Sequence, residues 1–160
     1  MGLRDKYRNF FLGGLIEGDG SLVVVTRKRK NLRFGLSIDP EFYLYQHQKR
    51  VELLHLAKDV FKTGAIYKKS GTPNVLVFAI RDRKSIHEKV LPFFERYVLP
   101  YGVKYNKMFP HYKKLVDLMI KKAHLTEDGL KQLLDLVDQI KKASEYVPSE
   151  AIREMSKNSE

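Results

Sequence analysis

Two adjacent glycines, Gly13 and Gly14, sit inside a stretch whose apolar residues repeat at helical spacing. Phe11, Leu12, Leu15 and Ile16 recur with the period of one helix face, so residues 5–17 are predicted to form a helix. A glycine inside a helix costs roughly 1 kcal/mol against alanine. Two in a row call for a reason, and the loss of both side chains lets another backbone approach closely. The string Gly18-Asp19-Gly20-Ser21 is expected to end the helix with turn chemistry, leaving Asp19 at its foot.

The rest of the chain alternates between the two periods. Residues 21–29 read as a strand that becomes basic at its tip. Residues 33–45 read as its hairpin partner, with Phe34, Leu36, Ile38, Phe42 and Leu44 on one face and Arg33, Gly35, Ser37, Asp39, Glu41, Tyr43 and Tyr45 on the other. Pro40 marks an edge or a bulge, where the phase could slip by one. An amphipathic helix over 48–62 precedes a second hairpin, 65–69 and 74–82, with its turn at residues 70–74. In that hairpin Leu76, Phe78 and Ile80 point to the core, and Val75, Val77, Ala79 and Arg81 point outward. Helices follow over 84–97, broken or begun anew at Pro92, then over 104–123, 126–143 and, shortest, 148–157. The order α-β-β-α-β-β-α with extra helices implies an α+β fold. It has one antiparallel sheet, helices on one face and a polar, basic face opposite. Residues 1–160 are expected to form one domain, with a core at about 5–143 and an extension at 144–160.

Charge points to a polyanion. The chain carries a net +11, unevenly placed. Residues 21–70 hold eleven Lys and Arg against four acids, whereas residues 124–160 hold five against eight. Nucleic acid should therefore meet the first part of the chain. A membrane surface is disfavoured because the basic residues fall on strands and not on an amphipathic helix. No apolar run approaches a membrane span, and the amino terminus lacks the pattern of a secretory signal. The absence of cysteine excludes disulfides and thiolate-bound zinc, and the five histidines have no metal-ligand spacing.

The segment Leu12-Gly13-Gly14-Leu15-Ile16-Glu17-Gly18-Asp19-Gly20 closely resembles the defining motif of the LAGLIDADG homing endonucleases. Leu12, Gly14, Leu15, Ile16, Asp19 and Gly20 match it outright. Gly13 and Gly18 replace alanines, small for small, and Glu17 replaces the first aspartate, acid for acid. The resemblance continues through the element order, the segment LPFFERY and the segment HLTEDGLKQLLDLV, and covers roughly residues 5–143.

That resemblance implies a saddle-shaped antiparallel sheet and a site-specific, double-stranded DNA endonuclease that leaves staggered 3' overhangs at intron homing sites. It implies Asp19 and the Gly18 carbonyl as ligands of a divalent metal. Mg2+ is the expected ion, and Ca2+ or Mn2+ could take its place in a crystal. Hard cations of this kind want oxygen ligands, few of them from protein. Glu17 is expected to be a structural companion at the helix end. One motif per chain implies a homodimer on a near-palindromic target, with Leu12, Gly13, Gly14, Leu15 and Ile16 at the interface. Gln46, Arg50 and Lys104, the last with Lys107 as its rival, are the expected companions of Asp19 in catalysis.

The outward side chains are the candidate DNA readers: Val25, Arg27, Arg29, Arg33, Ser37, Asp39, Glu41, Tyr43, Tyr67, Lys69 and Arg81, with Lys28, Lys30 and Lys68 on phosphates. Asp39 and Glu41 either read cytosine amino groups or bond to neighbouring arginines. A strand of about nine residues spans roughly 30 Å, so a dimer would cover on the order of 18 base pairs. The alternatives are an RNA-binding maturase of the same fold, with intron RNA as partner, and a DNA-binding regulator that does not cut. All three place the chain inside the cell, in an archaeal cytoplasm or an organelle.

Overall fold

The computed structural model of the chain describes residues 1–144; the helix expected over 148–157 lies outside the described residues. Its first element, α1 (Leu3–Asp19), extends beyond the predicted helix at both ends. No turn follows it. Asp19 is the last helical residue, Gly20 is already extended, and β1 (Gly20–Lys28) begins at once. A side chain at position 20 would meet the Ile16 carbonyl oxygen at 2.6 Å and the Tyr105 hydroxyl at 3.0 Å. Only glycine lets the chain leave so flat against its own helix end.

β2 (Leu36–His47) returns antiparallel to β1, with Val25 opposite Asp39 and Arg27 opposite Ser37. The hairpin is shorter at its tip than the sequence suggests. Arg29, Lys30, Arg33 and Phe34 lie in the connecting loop, and Gly35, at a φ of 68°, turns the chain back. A short 3-10 turn, Gln48–Arg50, leads into α2 (Val51–Phe61). β3 (Ala65–Lys68) and β4 (Val75–Ile80) form the second hairpin.

The strands run in the order β1-β2-β4-β3, antiparallel throughout. β4 pairs with β2 only from Phe42 onward. Pro40 therefore lies where β2 has no strand on that side, which is where a sheet tolerates a residue without an N–H. Pairing with β1 runs through Val24 opposite Pro40 with no bulge, so the inward and outward phase of β2 does not slip.

Residues 83–98 form one helical stretch, α3, which Pro92 does not stop. Two widened turns, Ile86–Val90 and Phe94–Val98, flank the proline segment Leu91–Phe93, and the Leu91 N–H reaches back five residues to the Ile86 carbonyl. The proline ring needs room against the carbonyl four residues earlier, and looser winding gives it. An irregular segment, 99–108, separates α3 from α4 (Phe109–Ile120), so the expected helix over 104–123 starts later. α5 (Glu127–Ser144) follows a 3-10 turn at Ala123–Leu125.

The helices cover one face of the sheet. Leu22, Ile38, Phe42, Leu44, Phe78 and Ile80 from the strands join Leu12 and Ile16 of α1, Leu54 and Phe61 of α2, Phe94 of α3 and Tyr112 of α4 in one buried cluster. Each such side chain contributes about 1.5–3 kcal/mol on burial. The opposite face is not uniformly open. Val77 and Ala79 have the outward phase, but Val77 lies between Tyr45 and Tyr67 in the ladder and Ala79 beside Tyr43, so both are buried.

The two glycines of α1 do different things. A Cβ on Gly13 would lie 2.2 Å from the Tyr97 carbonyl oxygen, so Gly13 admits the backbone of α3 from the same chain. A Cβ on Gly14 would meet nothing within 4 Å. Leu12, Gly13 and Ile16, expected at an interface between chains, are buried within this one, because their side of α1 faces the sheet and α3. Leu15 is half-buried and only Gly14 of the five is fully open. Gly13→Ala is expected to lower unfolding stability by about 1–3 kcal/mol, read as a drop in the denaturant midpoint at unchanged slope.

Candidate functional site

At the foot of α1 the Asp19 carboxylate is exposed. Its Oδ2 accepts a hydrogen bond from Gln46 Nε2 at 2.6 Å. Gln46 has the inward phase of β2, opposite Leu76, and is buried. The sheet thus delivers an amide to the helix end across its core face. The Gln46 Oε1 is buried and takes no hydrogen bond from the protein.

Lys104 arrives from the irregular segment after α3. Its Nζ donates to the Gly20 carbonyl at 2.6 Å and lies 3.5 Å from the Gly18 carbonyl. Glu17 sets this geometry. Its Oε1 accepts the backbone N–H groups of both Val103 and Lys104, each at 2.8 Å. A side chain on Gly102 would meet Glu17 Oε2 at 2.4 Å, so the loop lies tight against this carboxylate. Below it, the buried Tyr105 hydroxyl donates to the Ile16 carbonyl at 3.0 Å. Burial, with Glu17 nearby, pushes the Tyr105 phenol well above its ordinary range, so it stays a protonated donor. Asp19, Gln46 and Lys104 are brought together. Arg50, in the 3-10 turn after β2, is exposed and makes no hydrogen bond or ion pair among the described residues, and neither does Lys107.

The atoms gathered here are hard oxygen donors. They are the Asp19 carboxylate, the Gly18 carbonyl, which has only the Lys104 Nζ near it at 3.5 Å, and the unpartnered Gln46 Oε1. They suit a divalent cation that keeps most of its ligands for water and phosphate. The carbonyl end of a helix carries partial negative charge, which also favours a cation. Among the described residues no three His, Cys, Asp or Glu side chains lie close enough to hold a metal by themselves.

The outer face of the sheet begins beside this site. Val25, Arg27, Ser37, Asp39, Glu41 and Tyr43 hold the expected outward phase. Asp39 and Glu41 do not stand free to meet a ligand. Arg27 Nη1 donates to Asp39 Oδ2 at 2.7 Å and Arg27 Nη2 to Glu41 Oε1 at 3.0 Å. These bonds, Glu41 first, hold the Arg27 guanidinium even more firmly charged than usual. Glu41 is 2% exposed, and the Tyr43 hydroxyl donates to its other oxygen. Of the two alternatives for these acids, both bond to arginine in this structure, and Glu41 leaves almost no surface for a base. Arg81, one residue past β4, donates to the Tyr67 hydroxyl and lies 3.5 Å from Glu41 Oε2. Lys69 lies over the Tyr45 ring at 4.8 Å. Lys28 and Lys68 have the inward phase, opposite Leu36 and Leu76, and reach solvent at the strand ends.

A helix foot with one exposed acid, set against an α-β-β-α-β-β-α sheet with a basic outer face, defines a class. Residues 12–116 match the family profile described as LAGLIDADG endonuclease, and the chain belongs to that family. Over 155 residues it is 39% identical to DNA endonuclease I-CeuI of Chlamydomonas moewusii, covering 92% of this chain and 71% of that protein. The fold superposes on the group I intron-encoded homing endonuclease I-CeuI complexed with DNA with a TM-score of 0.80, over 84% of this chain and 66% of that one. It matches the archaeal intron-encoded homing endonuclease I-Vdi141I, also complexed with DNA, with a TM-score of 0.79 at 25% identity, over 90% and 88% of the two chains. A probable intron-encoded endonuclease of Neurospora crassa is 28% identical over 125 residues, 78% of this chain but only 27% of that protein.

Two members of the site were not singled out from the sequence. Tyr105 follows Lys104 directly, and an aromatic residue beside a functional lysine is the available signal. The Gly20 carbonyl gave none, because a backbone acceptor has no letter. Glu17→Ala is expected to release the two amides it holds. Hydrogen exchange at Val103 and Lys104 should accelerate about tenfold or more, while amides in the buried middle of α1 keep their protection.

Proposed function

We propose that the chain is a site-specific double-stranded DNA endonuclease of the homing type. It acts as a homodimer with divalent metal, hydrolyses one phosphodiester in each strand of a near-palindromic target and leaves staggered 3' overhangs. One observation carries this. Asp19, Gln46 and Lys104 come from three distant parts of the chain and converge on the foot of α1, beside a sheet face that carries Arg27 and Arg81. A protein that only bound DNA, or an RNA-binding maturase, would need the face but not the constellation.

The homodimer is supported by the open side of α1. Leu3, Tyr7 and Phe11 are 67%, 64% and 57% exposed, and with Gly14 and Gly18 they line one stripe of the helix. Large apolar side chains ending in two glycines make a self-complementary surface on which a second α1 can lie closely. This replaces Leu12, Gly13 and Ile16 with Tyr7 and Phe11 as interface residues and keeps Gly14. Pairing along that stripe brings two Asp19 carboxylates to one place.

Endonucleases of this family depend on metal, and Asp19 with the Gly18 carbonyl would hold the ion, Mg2+ in the first instance. A divalent cation there supplies charge neutralisation at the scissile phosphate and acidifies water. Gln46 fixes the Asp19 carboxylate by donating to Oδ2 and leaves its own Oε1 to accept from a water molecule. Lys104 holds its side-chain nitrogen beside the helix foot, placed to stabilise charge that develops on a phosphate oxygen. Val25, Ser37, Tyr43, Tyr67 and Arg81 face the duplex, and Arg29, Lys30 and Arg33 reach its backbone from the loop beyond β1. Activity requires the compartment that holds the target DNA, and no described helix is long and apolar enough to cross a membrane.

Asp19→Asn is expected to abolish cutting of the target plasmid in Mg2+ while duplex binding, measured by gel shift in Ca2+, stays within a few-fold; a variant that cuts normally would remove Asp19 from the mechanism. Gly14→Leu starts from a Cβ that meets nothing of its own chain within 4 Å. It should convert the dimer to monomer in sedimentation and stop double-strand cutting with the helical spectrum unchanged.

A further inference from the structure

The outer face of the sheet holds a buried carboxylate where a protein that binds a polyanion should least want one. Glu41 sits on β2, the strand between β1 and β4, and its two oxygens are divided. Oε1 takes Arg27 from β1 at 3.0 Å; Oε2 takes the Tyr43 hydroxyl and has Arg81 Nε from beyond β4 at 3.5 Å. Asp39 adds a second hold on Arg27 at 2.7 Å and is itself held by Ser37 at 2.9 Å. The Arg81 guanidinium also lies over two rings, 5.7 Å from the Tyr43 centroid and 5.0 Å from that of Tyr67. Each arginine is gripped at two points yet keeps its side chain 37% and 54% exposed, respectively.

We propose that Glu41 is a positioning residue for base recognition, fixing Arg27 and Arg81 in orientations that take the guanine edges of two base pairs in the major groove. The proposal rests on the DNA-binding function above. At 2% exposure Glu41 cannot itself reach a base. A free arginine serves phosphate and guanine alike, because its fork fits both. One already held by carboxylates and rings has lost that freedom before DNA arrives, and ordering is no longer charged against the specific complex. Of the five N–H donors on a guanidinium, those not given to Glu41, Asp39 and Tyr67 remain for guanine O6 and N7. The carboxylate thus lowers affinity for any duplex and raises discrimination among duplexes. A side chain that merely held the fold would not act on the two in opposite directions.

The test is selection from a randomised duplex library by the full-length protein, with binding to a scrambled duplex measured in parallel. Arg27→Gln and Arg81→Gln assign the base pair that each arginine reads. The wild type should enrich guanine at both positions about tenfold or more. Glu41→Gln should cut both enrichments together to about two- to threefold, while affinity for the scrambled duplex is unchanged or higher. Asp39→Asn, which of the two arginines touches only Arg27, should relax only the Arg27 position, and it decides the matter if Glu41→Gln does not fold. Retained guanine preference in the folded acid variants would overturn the proposal, as would a parallel fall of specific and scrambled binding. A wild type that selects sequences without guanine at these positions overturns it as well and leaves the endonuclease function standing. A wild type that selects no duplex at all removes both.

Discussion

The contact on which the rest of the site depends is backbone against backbone, where α1 crosses α3 at Gly13. There is no room for a methyl group between this helix and the Tyr97 carbonyl. That closeness sets how near the segment after α3 can run to the lower turns of α1. The segment then fastens itself to successive residues of the helix, with the Val103 and Lys104 amides on Glu17 and the Tyr105 hydroxyl on Ile16. Lys104 reaches the Gly20 carbonyl because its own backbone has been pinned one step earlier. Its placement is a consequence of packing more than of any attraction to Asp19.

α1 therefore serves two partners at once. Successive residues on a helix point about 100° apart, so Gly13 and Gly14 open different sides. One is closed by the chain itself, and the other is left bare beside Phe11 and Tyr7. The sheet is divided in the same manner. Its inner phase holds Phe42, Leu44 and Phe78 in the core, and its outer phase is covered in part by its own tyrosines and by paired arginines and acids. Burial of Glu41 on that face is not burial in the core. It comes from side chains on β1, on β2 and just past β4 closing over one carboxylate, which is tolerable because two cations and a hydroxyl satisfy it.

Much of this was legible. The element order, the inward set Ile38, Phe42, Leu44, Phe78 and Ile80, and the place of Asp19 at a helix foot all follow from the two periods and one motif. The places where the structure departs from those periods share a cause. The strand tips at Arg29 and Arg33, the continuity of α3 through Pro92, and the late start of α4 are places where local propensity leaves several backbones nearly equal in energy. Contacts elsewhere choose among them. The partner of Leu12, Gly13 and Ile16 is not legible in the sequence for a related reason. A glycine pair announces that something comes close, but its pattern does not say whether that is the same chain or another.

Sequence alone determined what is periodic or covalently local: the alternation of helices and strands, the face each side chain takes, the basic first half, and the acid-and-glycine end of α1. Only the tertiary structure decided which neighbours those faces meet. It brought Gln46 to Asp19, Lys104 to Gly20, and Arg27 with Arg81 to one carboxylate across two strands. These pairs are 27, 84, 14 and 40 residues apart in the chain. No short-range period encodes such separations; they are set by the register of the sheet and by how closely one glycine lets two helices lie.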